Sequence, residues 1–256
     1  MPIQKTEAIV LKRSEFRETS LLVTFYTSSF GKIRGLVKGI RCRENRHEGI
    51  LDLASVNWIV FYEKSGSELY LVSQAELKEA WQGLNQQLES LLLAQVVLEE
   101  MDLLTPLQEP SHLLYNILYK TISELFNKTF SSKGQNEAQK RVWHFEAEMI
   151  RHFGVFPQLD NCLVCKEKND NENGWISFSK GGFICNECHL KEIFAEPISA
   201  ETIRILKQLA EEGETRFFPL STQTEQELDS ILRGLIEHYG ERALRSARIA
   251  EMILAQ

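Results

Sequence analysis

Four of the five cysteines stand in two pairs, Cys162-Leu-Val-Cys165 and Cys185-Asn-Glu-Cys188, with residues 166–184 between them. That interval fits the C-x₂-C-x₁₅₋₂₀-C-x₂-C pattern of zinc sites. Each C-x-x-C turn brings two thiolates to one side, and two turns complete a tetrahedral S₄ shell around one Zn²⁺. The competing readings are disulfides or unpaired core thiols. The start, MPIQKTEAIVLK, shows neither an apolar h-region nor a small-residue cleavage site, so a cytosolic location is expected, and structural disulfides are rare there. Four cysteines leave no open coordination position, so the expected metal is structural, one zinc per chain. His189, next to Cys188, reads as a solvated neighbour.

The second group with chemical potential is cationic. The whole chain of 256 residues carries 29 Lys and Arg against 36 Asp and Glu, a formal charge of −7, which by itself disfavours a polyanionic partner. The distribution reverses that conclusion. Residues 1–50 hold ten basic residues and five Glu, a local +5 that leaves −12 for the remainder. Between Lys32 and Arg46 stand Lys32, Arg34, Lys38, Arg41, Arg43 and Arg46 against Glu44 alone. On a strand, Lys32, Arg34 and Lys38 share one face and Ile33, Gly35 and Val37 the other. Cations tracking a backbone, with Phe25, Tyr26 and Phe30 nearby as stacking platforms, are what single-strand binders use. A solvated edge that blocks sheet-to-sheet pairing is the plainer alternative. Lys12 and Arg13 are auxiliary candidates for contact with DNA or RNA.

Enzyme readings fail for lack of parts. The sequence contains no G-x-x-x-x-G-K-[ST], no G-x-G-x-x-G and no G-x-S-x-G. Cys42 lies among arginines that favour its thiolate, but it has no identifiable base. His144, Glu148 and His152 share a helix face without an HExxH pattern, and read as a charged solvated surface. The expectation is a protein without catalytic residues.

These groups must be positioned by two kinds of element. Ala8–Leu11, Leu21–Tyr26, Lys32–Lys38, Val56–Tyr62 and Leu69–Val72 read as five short strands, with a turn at 64–67. Five strands without an intervening helical period predict a small closed barrel of the OB type, because closure removes exposed edges. From residue 84 the period becomes helical, as in Leu114, Leu118, Ile122 and Leu125, or Val142, Phe145, Met149 and Ile150. Gly154 follows as a helix C′ residue, and Ser199 as an N-cap. Trp175–Phe178 and Phe183-Ile184 predict a hairpin between the cysteine pairs. The longest apolar run, Leu91 to Leu98, is too short for a membrane span. The fold class expected is α+β. The expected domains are a five-stranded OB-fold over 1–80 that presents the cations to DNA or RNA, and a helical domain over 84–256 that holds the Cys₄ zinc insertion at 160–190.

Several segments also resemble the bacterial recombination mediator family RecO. They are Glu7-Ala-Ile-Val-Leu-Lys-Arg, the run Gly31-Lys-Ile-Arg-Gly-Leu-Val-Lys-Gly with the arginines after it, and Leu69-Tyr-Leu-Val-Ser-Gln-Ala-Glu. Phe153-Gly-Val-Phe-Pro-Gln-Leu-Asp before Cys162 and Gly181-Gly-Phe-Ile-Cys185 continue the series, with a weaker echo in Leu244-Arg-Ser-Ala-Arg. The resemblance implies a non-enzymatic DNA repair and homologous recombination protein, bacterial and cytoplasmic at the nucleoid. Such a protein binds single- and double-stranded DNA and anneals complementary strands. It acts with RecR to load RecA onto strands coated with single-strand binding protein (SSB), whose C-terminal tail the helical domain takes up. The rival from another class is a zinc-containing scaffold whose basic barrel binds a protein or RNA.

Overall fold

The structure, a computed structural model, describes residues 2–38, 50–63, 66–81, 88–127, 137–170, 172–190, 194–211 and 219–254. Five strands come first: β1 (Ile3–Phe16), β2 (Ser20–Thr27), β3 (Gly31–Val37), β4 (Val56–Tyr62) and β5 (Leu69–Glu79). The helices α1 (Leu88–Leu104), α2 (His112–Asn127) and α3 (Glu137–His152) follow, then β6 (Gly174–Ser177), β7 (Gly182–Ile184), α4 (Asn186–His189) and β8 (Glu196–Ile198). The chain ends with α5 (Ala200–Ala210), α6 (Thr222–Gly240) and α7 (Arg245–Leu254). The fold is α+β, with an N-terminal barrel followed by a helical region, as expected.

The strands close in the order β1-β2-β3-β5-β4. Closure depends on the length of β1, whose first half pairs with β4 (Ile3↔Tyr62 to Ile9↔Val56) and whose second half pairs with β2 (Ala8↔Thr27 to Phe16↔Ser20). All pairings are antiparallel except β3 with β5. The period of two is visible in β3, where Ile33, Gly35 and Val37 are buried and Arg34 is exposed. The inward residues meet Val10, Val23, Phe25, Ile59, Phe61 and Val72 in the barrel core. The β2–β3 turn requires a glycine. Gly31 has φ +64°, and a Cβ there would stand 2.1 Å from the Glu109 carbonyl oxygen, so left-handed backbone and close approach exclude a side chain together.

Two compact units are present: residues 1–138 with 244–256, and residues 139–243. Strand gives way to helix after Trp81, but α1, α2 and α7 belong to the barrel's compact unit. Trp81 helps fasten them, because its indole N–H donates to the Ala54 carbonyl (3.0 Å) while its ring stacks on Phe126 of α2. Glu99 of α1 accepts from the backbone N–H and hydroxyl of Ser246 at the start of α7. The second unit packs α3, α5 and α6 with a small sheet of order β7-β6-β8. Ser199 and Ser221 cap α5 and α6, accepting from the N–H groups of Thr202 and Thr224. Gly154 ends α3 at φ +69°.

A half-buried carboxyl links α3 to α6. Asp229 accepts from the Trp143 indole and the Gln139 amide, yet burial outweighs these bonds and the Arg233 charge, and pushes its pKa from 3.8 up to about 6. The native state therefore binds more protons than the unfolded chain between about pH 4 and 6, and its stability falls as pH rises through that window. Asn at 229 keeps an acceptor without the charge. Relative to Asp229→Asn, the native protein is expected to lose stability on the order of 1–2 kcal/mol between pH 4 and 6.5. Paired denaturant melts across that range measure it, and a constant difference would refute it.

Candidate nucleic-acid interface and metal centre

The four-cysteine cluster is built by local turns. After Cys165, Lys166 takes a left-handed conformation (φ +67°), and its N–H returns to the Cys162 carbonyl at 2.9 Å. Cys162 in turn donates its N–H to the Glu167 carbonyl. The Leu163 N–H donates to the Phe183 carbonyl, which ties the first knuckle to β7. Gly182 allows the preceding segment against the same strand, since a Cβ there would lie 2.3 Å from the Gln158 carbonyl oxygen. The second knuckle opens α4, where Cys188 and His189 both donate to the Cys185 carbonyl.

The four sulfur atoms lie within 4.8 Å of one another, and Cys165 Sγ is 3.8 Å from Cys185 Sγ. A tetrahedron with metal–sulfur bonds of about 2.3 Å has an edge of roughly 3.8 Å. The donor set can therefore hold a metal ion with its shell closed. Cys162 is buried, which raises its pKa, but N–H donors from Cys185, Cys165 and Val164 prevail and bring it down to about 6. Cys188 is pushed up to about 12, first by desolvation and then by the neighbouring sulfurs. This conflict between adjacent thiols is what a bound cation relieves. His189 stands outside the clustered donor set; it is half-buried rather than solvated, its ring stacked flat on Trp175 with centroids 3.4 Å apart.

The cationic group is sorted by burial. Arg34 projects from β3 into solvent, within 3.8 Å of the exposed Glu68. Lys38, just after β3, is exposed, as are Lys12 and Arg13 on β1, where Arg13 pairs with Asp52. Lys32 differs. It lies on the outward side of β3 as expected but is only 7% exposed. Its ammonium donates to the Asp102 carbonyl at 2.6 Å and pairs with that residue's carboxylate. The Gln108 N–H closes on the Lys32 carbonyl at 2.8 Å. The cover comes from the end of α1 and the segment after it, which no strand-level alternation could foretell. Arg41, Arg43, Arg46 and Cys42 lie outside the described residues.

The expected stacking platforms are also reassigned. Phe25 and Tyr26 are fully buried, and Phe30 packs edge-on against Phe61 in the core. Among the strand aromatics, Trp58 and Phe16 are exposed instead, with Lys5 and Lys78 near the Trp58 ring. The alternation of Trp58 with buried Asn57 and Ile59 was readable in the sequence, but its distance from the basic run along the chain concealed their proximity.

Comparison with known proteins resolves the family. The family model described as "Recombination protein O C terminal" matches residues 85–248, and "Recombination protein O N terminal" matches residues 1–81. The chain belongs to the RecO family. Among its relatives is the protein named DNA repair protein RecO from Rhodopirellula baltica, 32% identical over 213 residues, covering 81% of this chain and 75% of the relative. A protein of the same name from Desulforamulus reducens is 28% identical over 99% of this chain and 96% of the relative. One from Thermoanaerobacter is 27% identical, over 96% of each. Membership of the RecO family and the names of these relatives assign the chain to DNA repair and recombination. Among the described residues, no helix is long and apolar enough to cross a membrane.

Proposed function

We propose that this RecO-family chain is a recombination mediator that acts without chemistry of its own. It binds single- and double-stranded DNA through the barrel, anneals complementary strands, and works with RecR to load RecA onto SSB-coated DNA. The observation that carries the reading is the exposed cationic edge of the OB barrel, Arg34 and Lys38, leading in sequence to Arg41, Arg43 and Arg46. Two polyanionic strands repel each other. A protein that neutralises phosphates and releases their counterions lowers the barrier to their encounter. Annealing must serve any sequence, so phosphate contacts without base readout suit it. Lys12 and Arg13 extend the same surface.

Zinc is the metal proposed for the four cysteines, because a closed S₄ shell suits a structural Zn²⁺. It orders residues 160–190 and takes no part in a reaction. For the acidic, apolar tail of SSB, the helical region offers suitable chemistry. On α7, Arg245, Arg248, Ile249 and Met252 are exposed and fall at i, i+3, i+4 and i+7 on one helix face.

The test is annealing of complementary oligonucleotides precoated with SSB, without any nucleoside triphosphate. Acceleration over the protein-free rate is expected. Absence of acceleration, with zinc-loaded folded protein, would refute the mediator reading.

A further inference from the structure

We propose that the barrel also carries a stacking subsite for one nucleotide of single-stranded DNA, centred on Trp58, on the outward face of β1, β4 and β5. The inference rests on the reading above that the barrel binds DNA. It adds where a base is held, whereas the basic run accounts only for phosphates.

The subsite arises from strand geometry. β3 and β5 run together only as far as Val37↔Val72. Directly beyond, β5 shifts register against β4, from Phe61↔Val72 to Val60↔Gln74, stepping over Ser73. β5 therefore bends away where β3 ends, and a cleft of about 400 Å³ opens at that point. This volume lies within the range of roughly 300–1,000 Å³ usual for small-molecule sites. Its apolar lining includes Val60 and Val72, and the half-exposed indole of Trp58 forms one wall. Lys5 and Lys38 supply cations, with Lys5 Nζ 5.3 Å from the centroid of the Trp58 ring. Lys78 Nζ lies 5.8 Å from the same ring, and also pairs with Glu7.

An aromatic wall, an apolar lining and ammonium groups match the three parts of a nucleotide: base, sugar and phosphate. Gln74 adds an amide that can both donate to and accept from a base edge. Glu76 lines the cleft and pairs across the strands with Trp58; a base presents neutral edges beside it and leaves its phosphate to the lysines. Continuity in sequence supports the same occupant, because Lys38 is both a lining residue and a member of the cationic run that includes Arg41, Arg43 and Arg46.

Tryptophan fluorescence of the full chain, titrated with oligo-dT and with an abasic strand of equal length, tests this. Trp81 and Trp143 are buried and Trp175 is half-buried against His189, so the quenching that Trp58→Phe removes reports Trp58. The wild type is expected to be quenched by oligo-dT and not by the abasic strand, and Trp58→Phe to lose the quenching. Trp58→Ala is expected to weaken oligo-dT binding about tenfold with an unchanged salt slope. If that variant fails to fold, the wild-type and Trp58→Phe titrations decide. Unquenched binding of oligo-dT, or equal affinity in folded Trp58→Ala, would overturn the subsite and leave the general DNA reading standing. No binding of oligo-dT by the wild type would overturn that reading itself. An acidic peptide whose binding is lost in Trp58→Ala, with oligo-dT binding unchanged, would assign the cleft to a protein partner and overturn the proposal.

Discussion

Removing the metal from the four-cysteine centre is expected to unfold residues 160–190 while the barrel stays native. The segment's own secondary structure is slight, and its remaining anchors are the buried Ile176, Phe183 and Ile184 and the pairing of β6 with β8. Its strands β6 and β7 contain four and three residues, too few for independent stability in water. Its knuckles are hydrogen-bonded turns that place four sulfurs within 4.8 Å, a crowding that only a cation rewards. Apparent binding free energies of structural zinc in small domains are about 10–16 kcal/mol at neutral pH, more than a local segment can replace. The barrel has its own closed sheet and a core around Phe25, Ile33 and Phe61. Hydrogen exchange with and without a chelator measures this. Protection should vanish across 160–190 and persist in β1 to β5, and Cys162→Ser should reproduce the pattern. Equal loss in the barrel strands would show that the metal supports the whole chain.

The second large effect concerns annealing. Lys38→Ala/Arg41→Ala removes two cations from the proposed phosphate track, and loss of most of the annealing rate is expected, at least tenfold, because the contacts act together on strand repulsion. Lys32→Ala is the informative contrast. It deletes the covered ammonium that serves the Asp102 carbonyl and carboxylate, so stability should fall on the order of 1–3 kcal/mol. The annealing rate of the folded fraction should stay near that of the wild type. Annealing rates and urea melts on the same preparations separate the two. Annealing abolished by Lys32→Ala in fully folded protein would return that residue to the DNA surface.

How much was legible in the sequence follows the range of each interaction. The strand period over 56–62 and 32–38, the Ser199 cap and the Gly154 stop are local, and all appear in the structure. The cysteine cluster was legible because turn chemistry fixes each pair and a short hairpin joins them. What was hidden depends on packing between distant segments. Lys32 alternates outward as expected, but the end of α1, seventy residues away in sequence, covers it. Phe25 and Tyr26 look like an aromatic platform only until barrel closure buries the inward face and the connection between α1 and α2, at Glu109 and Ser111, covers the other. The β8 strand, which pairs with β6 through Trp175↔Pro197, has just three residues and no alternation to announce it. Trp58 meets Lys5 through the β1–β4 register, which no local window contains.

Phosphate binding by Arg34 and Lys38 of the barrel, with the arginines that follow in sequence, sets the salt dependence of wild-type affinity for single-stranded DNA, and that dependence is the decisive measurement. With Lys32 withdrawn, Arg34, Lys38, Arg41, Arg43 and Arg46 remain as principal contacts, and at about 0.7 per contact the slope of log affinity against log salt should be near −3.5. A slope close to zero would contradict phosphate binding by these cations, whatever the affinity at any single salt concentration.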